Sequence, residues 1–382
     1  MKIAFLTSMA TNPIKPGGFV HVTQVANNLQ LLGHTLYTNL LQESDSFVKL
    51  KEDEFSKRGN EIEAFYIRIH GSAWNDELTR FRFTNPTAPC IWEINAPMEE
   101  LRMRGESEEE ISKKNKRRKE LAKVVDAAVC VSHEMQEYAK DFLGIKKTYV
   151  VQNGSDPEMF TPTKRTQSLY GKAGFTVLWS GSPEYAWQGL DIAQKLAEKL
   201  KKTDRSILIA VTAEGTSTEN LLYLGSLPYS EMPRYMASAD IGLCIYKKID
   251  FFNKFFFSPL KLYDYMASGL PVIGSNVGQI KLVLEEYNNG LLTDTTVDDL
   301  VEKILYLKNN KSLAHEMGAN GRKATVEKLN WRNVTLQLEQ IIAELVKEGQ
   351  SEAPIPRKGP MNLMNLLLAK TFRRLFGQRI DQ

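Results

Sequence analysis

Two series of short apolar runs, each alternating with amphipathic helical segments, constrain the fold of this chain more than any other feature. Such strand–helix alternation is typical of parallel sheets that are covered by helices on both faces. A polar stretch at 161–174 separates the two series, and a length of 382 residues also favours two cores over one. We therefore predict an α/β protein in which two doubly wound domains face each other across a cleft.

The predicted elements set the domain boundaries. The first series has strands at 3–6, 65–69, 90–94, 127–131 and 149–152, with helices at 20–32 and 113–124. The second has strands at 176–180, 207–211, 241–246 and 271–274, with helices at 189–202, 231–238, 259–268 and 297–308. The predicted domains are residues 1–160 and 161–330, and a helix at 331–350 is expected to cross back to the first domain.

Composition and charge exclude several classes of protein. A net charge of +3 is too small to argue for nucleic-acid binding, and no apolar run is long enough to span a bilayer. The start of the chain predicts a buried strand rather than a signal peptide. The three cysteines lie in apolar runs without metal-ligand spacing, which is typical of reduced thiols in the cytoplasm. We expect a cytoplasmic protein with no metal site.

Two basic segments suggest contact with a membrane surface. After a proline-rich linker at 351–360, the segment 361–382 places apolar residues at helical spacing among Lys370, Arg373, Arg374 and Arg379. A basic amphipathic helix of this kind binds an anionic membrane, docks on a partner or packs on its own protein; we favour the membrane at its inner face. The dense positive charge within 113–119 is a second candidate, although we favour a solvated helix face as its explanation.

The segment FFFSPLKLYDYMASGLPVIGSNVGQI, at 255–280, holds the best candidate binding site. Ser258 and Pro259 are predicted to cap and begin a helix, and Lys261 and Asp264 then share one helix face. Free amides at the helix start and the ammonium suit phosphates, whereas the carboxylate suits sugar hydroxyls. The alternative is a capped surface helix with an ordinary ion pair.

A glycine pair before the first predicted helix is a second candidate site. Gly17 and Gly18 follow the first strand, where adjacent glycines allow a ligand to approach the backbone closely. The helix start also offers amide donors to an anion. Most glycine pairs simply form turns. The prediction therefore rests on the position of this pair, between the first strand and the first helix.

Motifs in both halves, up to about residue 345, together resemble the family 4 (group 1) glycosyltransferases. They are PGGF before HVTQVANNLQLLGHT, APCIWEINAP, VSHEM, VVQNGSD, WQGLD, YLGSLP, SADIGL and the segment at 255–280. The resemblance implies the GT-B fold, in which two Rossmann-like domains bind the acceptor (first domain) and the nucleotide sugar (second domain). It also implies retaining transfer from a UDP- or GDP-linked sugar to a glycan or lipid-linked acceptor, without a metal or other cofactor.

The resemblance assigns expected roles to single residues. Asp264 matches the second of two family acidic residues and is expected to bind ribose hydroxyls. The backbone near Ser258, Pro259 and Leu260 is expected to bind sugar or phosphate, together with Gly17, Gly18 and Gly181. The first acidic position reads Phe256 here. The usual basic pair against the diphosphate reads Ser182 and Gln188, which leaves Lys261, and more weakly Lys254, to neutralise phosphate charge.

Three first-domain residues complete the prediction. The family often has a histidine near the reacting centre, and that position reads Asn95, which can hydrogen-bond the donor sugar but is no base. His70, at the end of an earlier strand, is a candidate ligand contact or a structural residue. Glu93 shares the strand face of Asn95, and it either binds acceptor hydroxyls or pairs with a local cation.

Two other functions stay open at this point. The loss of the basic pair and of the first acidic residue also fits a non-catalytic glycosyltransferase-like subunit that binds a partner enzyme or a glycan. A sugar-phosphate isomerase or epimerase shares the architecture, and only His70, Glu93 and Asp264 offer the acid–base set that it needs.

Overall fold

The computed structural model describes residues 1–7, 16–39, 47–49, 56–69, 85, 87–166, 169–171, 174–248 and 254–351. The candidate His70, the basic tail at 361–382 and most of the predicted linker lie outside the described residues. Those predictions stay predictions.

The first domain is built on a parallel sheet whose strand order is β3-β2-β1-β4-β5-β6-β7. Its strands are β1 (Lys2–Thr7), β2 (Thr35–Thr38), β3 (Phe47–Lys49), β4 (Ala64–Arg68), β5 (Cys90–Ile94), β6 (Ala127–Cys130) and β7 (Thr148–Val150). The register sets Ile3 beside Ala64, and Phe65 beside Cys90. Since all these strands run in parallel, their carboxyl ends share one edge of the sheet, where ligands of such folds bind.

The second domain repeats the plan with the strand order β10-β9-β8-β11-β12-β13, again parallel. Its strands are β8 (Phe175–Trp179), β9 (Ile207–Val211), β10 (Leu221–Tyr223), β11 (Ile241–Cys244), β12 (Val272–Ser275) and β13 (Gly290–Thr293). The two parallel sheets confirm the predicted fold class. The sequence did not predict β2, β3, β10 and β13, because they are only three or four residues long and lie at or near the sheet edges.

Helices cover both sheets. They are α1 (Pro16–Leu31), α2 (Glu108–Ala122), α3 (His133–Glu137), α4 (Leu190–Thr203), α5 (Met232–Ser238), α6 (Leu260–Ala267), α7 (Gly278–Tyr287), α8 (Val297–Asn309), α9 (Lys311–Glu327) and α10 (Trp331–Ser351). Short 3-10 helices lie at Ser56–Glu61, Met98–Arg104, Pro162–Lys164, Ala186–Gln188 and Tyr229–Glu231, and a π-helix at Tyr138–Phe142. Helix α1 begins four residues before its predicted start, with Pro16 at its first position.

Helix α10 joins the second domain back to the first. Its residues Val334, Leu338 and Ile342 recur at a helical spacing and are buried in one apolar cluster with Val22 and Leu29 of α1. The cluster fixes the position of α1, whose first residues point to the cleft. The start of the crossing helix therefore lies close to the functional region of the first domain.

Candidate active site

Helix α6 starts with unused backbone donors. The Leu262 amide donates to the Pro259 carbonyl oxygen at 3.1 Å, but among the described residues the Leu260 and Lys261 amides have no backbone partner one turn earlier. The Pro259 position before Leu260 provides no side-chain cap. Ser258 was expected to be the cap, and this prediction is wrong: its Oγ lies 2.8 Å from the Tyr263 hydroxyl instead. Proline at 259 keeps the backbone extended, so the helix begins one residue later than predicted. The uncapped start leaves its amides available for an anion.

Lys261 is a buried amine without a hydrogen-bond partner among the described residues. Its side chain is 9% exposed, and Nζ lies 5.0 Å from the centroid of the Trp179 ring and 4.8 Å from that of Tyr246. Burial lowers the pKa of Lys261 to about 8, against a small opposing effect of the Cys244 thiol. The two aromatic faces stabilise the ammonium without hydrogen-bonding it, so its three N–H donors stay available.

Asp264 lies on the other side of the helix start and has its own partners. Its Oδ1 accepts from Ser155 Oγ at 2.6 Å, and its Oδ2 accepts from the Tyr229 hydroxyl at 3.2 Å. Burial raises the pKa of Asp264 to about 7, and the bonds from Ser155 and Tyr229 oppose that rise. Neither Lys261 nor Asp264 is among the groups that shift the pKa of the other. The considered ion pair is therefore not formed, and the two side chains do not converge on one spot as predicted.

The turn after β8 explains how Lys261 relates to the neutral Ser182 and Gln188. The Ser182 amide donates to Gln188 Oε1 at 3.0 Å, so the turn is closed by its own side chain. A Cβ on Gly181 would lie 2.4 Å from that oxygen and 2.9 Å from the Trp179 ring, so only glycine fits. Lys261 lies over the same Trp179 ring. Its ammonium therefore places a positive charge at the carboxyl end of β8, where Ser182 and Gln188 are neutral.

A stack of aromatic rings, not predicted from the sequence, borders this region. The Trp187 ring stacks on Phe257 at 4.7 Å and on Tyr246 at 5.2 Å between centroids. The Trp187 indole Nε1 is buried and finds no hydrogen-bond partner among the described residues. The aromatic run at 255–257 was the available signal, but only the fold shows that Trp187 meets it. Lys261 Nζ and the indole N–H are thus two buried donors that adjoin one ring, Tyr246.

Phe256 points away from this stack and into the first domain. It is 8% exposed and belongs to the apolar cluster that contains Ile94, Cys130 and Met135. Its carbonyl oxygen accepts from Ser132 Oγ at 2.8 Å. The position at which the family carries its first acidic residue is therefore an apolar contact between the two domains.

The predicted glycine pair lies opposite the start of α6. Gly17 and Gly18 stand in the first turn of α1, and a Cβ on Gly17 would be 3.7 Å from Leu260 Cδ1. Two helix N-termini, one from each domain, therefore face the same part of the cleft. Both direct positive dipole ends and free amides into it.

Arg68, which the sequence reasoning missed, is the cation of the first domain at this edge. It ends β4, and its Nε donates to Glu93 Oε1 at 2.9 Å and to Asn95 Oδ1 at 3.2 Å. Its Nη1 donates to the Gly18 carbonyl at 3.3 Å. A charged residue inside an otherwise apolar strand was the signal that could have found it.

Glu93 is enclosed rather than open to an acceptor. It is 3% exposed and contacts Arg68, His21 Nε2 at 2.8 Å and the Tyr66 hydroxyl. Burial alone would raise the pKa of Glu93, but the cationic partners outweigh burial and hold the pKa well below its usual range. Of the two roles considered, the structure shows the pairing with a cation; acceptor binding stays a prediction.

Comparison with known proteins agrees with this architecture. The family model described as "Glycosyl transferase-like" matches residues 191–340. TuaH of Bacillus subtilis, named as a teichuronic acid biosynthesis glycosyltransferase, is 27% identical over 177 residues, which are 42% of this chain and 43% of TuaH. The chain thus spans less than half of the length of this curated relative.

Solved structures extend the similarity to both domains. Sucrose-phosphate synthase from Thermosynechococcus elongatus superimposes with a TM-score of 0.68 at 13% identity, covering 91% of this chain and 100% of the other. Anabaena Alr3699/HepE, solved in complex with UDP, gives a TM-score of 0.64 at 15% identity, covering 90% of this chain and 100% of the other. At such identities the match shows the fold alone.

Two Rossmann-like domains, a cleft between them and a helix N-terminus from each define a protein of the GT-B class. Within that class, the matches of the second domain support the predicted resemblance to the group 1 glycosyltransferases. The predicted fold is confirmed.

Proposed function

We propose that the protein is a retaining, metal-independent glycosyltransferase that moves a sugar from a UDP- or GDP-linked donor to a glycan or lipid-linked acceptor in glycoconjugate synthesis. One observation carries the proposal: Lys261 is a buried amine with no hydrogen-bond partner among the described residues, at the start of an uncapped helix. Burying a cation without an acceptor is costly. A diphosphate is an acceptor of opposite charge that suits both the amine and the helix amides.

The donor is proposed to lie mainly in the second domain. Lys261 and the backbone of the segment Ser258, Pro259 and Leu260, whose Ser258 and Leu260 amides are the donors, bind the diphosphate. Gly181 lets the diphosphate approach the end of β8. Asp264 binds the ribose hydroxyls through the lone pairs that Ser155 and Tyr229 leave free. The solved relative whose title includes UDP supports a uridine nucleotide as the first donor to test.

The first domain is proposed to hold the acceptor and the sugar. Asn95, fixed by Arg68, hydrogen-bonds the donor sugar, and the Gly17 and Gly18 amides face the diphosphate across the cleft. Glu93 acts on the acceptor only through Arg68. His70 stays a proposed ligand contact at the carboxyl ends of the first-domain strands.

The proposed chemistry needs no protein base. The acceptor hydroxyl attacks the anomeric carbon on the face from which the diphosphate departs, so the new glycosidic bond forms as the bond to the phosphate oxygen breaks. The departing phosphate oxygen takes the acceptor proton. The protein then contributes positioning, exclusion of water, and the charge of Lys261 and the helix amides against the leaving group.

A thermal-shift panel with UDP, GDP, ADP and their common sugar conjugates tests the proposal. One nucleotide family is expected to stabilise the wild type, and Lys261→Ala is expected to remove that stabilisation. Lys254→Ala is the matched control, since Lys254 is already paired with Glu137 of the first domain, and it should keep the response. No response of the wild type to any nucleotide would overturn the proposal.

A non-catalytic subunit remains the second candidate, and Phe256 is the observation that favours it. An apolar residue buried between the domains stands where the family has a sugar-binding acid. Such a subunit would bind a partner enzyme or a glycan without turnover. Release of UDP from UDP-glucose by the purified wild type, above that of Lys261→Ala, would decide for the enzyme.

We also propose that the protein works at the cytoplasmic face of an anionic membrane, held by its basic segments. Among the described residues no helix is long and apolar enough to cross a membrane. On helix α2 the side chains of Lys113, Lys116 and Lys119 are exposed. Flotation with vesicles of anionic and of neutral lipid, with and without residues 361–382, tests the membrane contact.

A further inference from the structure

His21 lies where three parts of the molecule meet. It is 6% exposed, in the second turn of α1, with its ring edge-on to Trp331 of the crossing helix at 5.3 Å between centroids. Its Nε2 is 2.8 Å from Glu93 Oε1, an ion-pair contact at an angle unlike that of a good hydrogen bond. Its Nδ1 is 2.6 Å from Oδ1 of Asn153, in the connection between the domains.

The partners of Asn153 determine the protonation of the His21 ring. Asn153 Nδ2 donates to the Ser258 carbonyl oxygen at 2.5 Å, and a carbonyl oxygen can only accept. The amide oxygen of Asn153 must therefore face His21 Nδ1, which has to carry a proton. Nε2 lies 2.8 Å from a carboxylate oxygen of Glu93, so each ring nitrogen has an acceptor atom beside it.

The same contacts lead from the acceptor side to the donor side of the cleft. Arg68 and His21 share Oε1 of Glu93, and Asn153 connects His21 to Ser258. A second bond, from the backbone N–H of Asn153 to Ser258 Oγ at 3.3 Å, also holds Ser258 in place. We call residues 258–260 the donor loop, since they precede and begin α6. The His21 ring thus connects the donor loop to the first domain through polar contacts at both of its nitrogens.

We propose that His21 is a positioning residue, which holds the donor loop against the first domain so that donor and acceptor sides are aligned. The role rests on the proposed transferase function, and no sugar or phosphate needs to touch the ring. The groups that face His21 are Glu93 on β5, with Arg68 and Tyr66 behind it on β4, Asn153 on the connection and the uncharged Trp331 on α10.

Hydrogen–deuterium exchange of the ligand-free full chain tests the link, read at the amides of residues 258–262. His21→Gln reaches only one of the two acceptors, so exchange there should rise about tenfold or more, as expected for a lost bond to a charged group. Asn153→Ala removes the side-chain bond from Asn153 to the Ser258 carbonyl oxygen, and it should raise the exchange of these amides by a similar factor. His34→Gln is the control, because His34 is equally buried in the first domain at 7% but contacts Glu339 and the N-terminus.

Two outcomes of the exchange experiment would count against the role of His21. Unchanged exchange in both His21→Gln and Asn153→Ala, or an equal rise in His34→Gln, would overturn the proposal. If His21→Gln fails to fold, Asn153→Ala alone decides.

Turnover separates this proposal from the function on which it rests. With UDP-glucose as the probe, His21→Gln should lower kcat while leaving the affinity for UDP within about threefold, because the ring touches no phosphate. If no nucleotide stabilises the wild type, the proposed function fails, and the exchange data still decide the role of His21.

Discussion

Both domains bury ionisable groups beside the same cleft, but among the described residues only those of the first domain have partners of opposite charge. In the first domain, Glu93 lies between the cations Arg68 and His21, and the Tyr66 hydroxyl also bonds it. In the second domain, within the part of the chain that the structure describes, Lys261 lies over two aromatic faces with no ion-pair partner, and Asp264 is hydrogen-bonded by two neutral hydroxyls. The first set is compensated in charge and the second is not.

The difference shows in the direction of the pKa shifts. Compensation holds the pKa of Glu93 far below its usual range, whereas burial raises that of Asp264 to about 7 and lowers that of Lys261 to about 8. Each uncompensated group is therefore close to losing its charge at neutral pH. Buried groups with such shifts cluster at functional sites. The comparison fits our proposal that the first domain positions the reacting groups and that the second domain binds the nucleotide sugar.

Removing the compensation in the first domain should have the largest effect. Glu93→Leu leaves Arg68 and His21 buried without their carboxylate, and we expect a loss of about 3–5 kcal/mol in the free energy of unfolding. Urea unfolding followed by circular dichroism measures it. A loss below about 1 kcal/mol would show that the cluster is not a compensated unit.

Replacing the unpaired buried amine of the second domain by an apolar side chain should stabilise the protein. Lys261→Met replaces an uncompensated amine by an apolar chain of similar length, so the ligand-free protein should gain roughly 2–3 kcal/mol at pH 7. The same variant should lose its stabilisation by UDP. Thermal unfolding with and without the nucleotide measures both effects, and a variant less stable than the wild type would contradict the assignment of Lys261 as unpaired.

Asp264 should give a smaller, pH-dependent effect. Because its pKa rises from 3.8 to about 7 on folding, the folded state binds more protons between these values, and stability falls as the pH rises through this window. Between pH 5 and pH 7 the fall should be of order 2 kcal/mol. In Asp264→Asn this fall should be absent, and urea unfolding at several pH values compares the two proteins. Identical pH profiles would contradict the shift.

Removal of metal ions should have the smallest effect. Charge on the leaving diphosphate is assigned to Lys261 and helix amides, so an excess of EDTA should leave the release of UDP from UDP-glucose unchanged within about 20%, since the protein's own donors supply the stabilisation. A loss that Mg²⁺ or Mn²⁺ restores would show that a cation completes the second domain.

The sequence predicted the fold and, within one residue, the position of α6, because both depend on local patterns of apolar and small residues and on Pro259. It could not predict the compensated cluster: Arg68 and Glu93 are 25 residues apart, and His21 and Asn153 are 132 apart. The only local sign was a histidine on the apolar face of α1, next to Val22 and Val25. Lys261 stays the candidate cation, and the rings over which it lies, Trp179 and Tyr246, come from two other strand ends that its local sequence does not show.

The central claim is that a diphosphate binds the uncompensated amine of Lys261, and calorimetric titration with UDP at pH 8 tests it most directly. An anion beside Lys261 raises its pKa above about 8, so binding must take up a fraction of a proton. In two buffers of different ionisation enthalpy, the wild type should therefore give different apparent binding enthalpies. Lys254→Ala should behave like the wild type, and Lys261→Met should show no uptake and weaker binding. Tight binding of UDP to the wild type with no proton uptake would contradict the account.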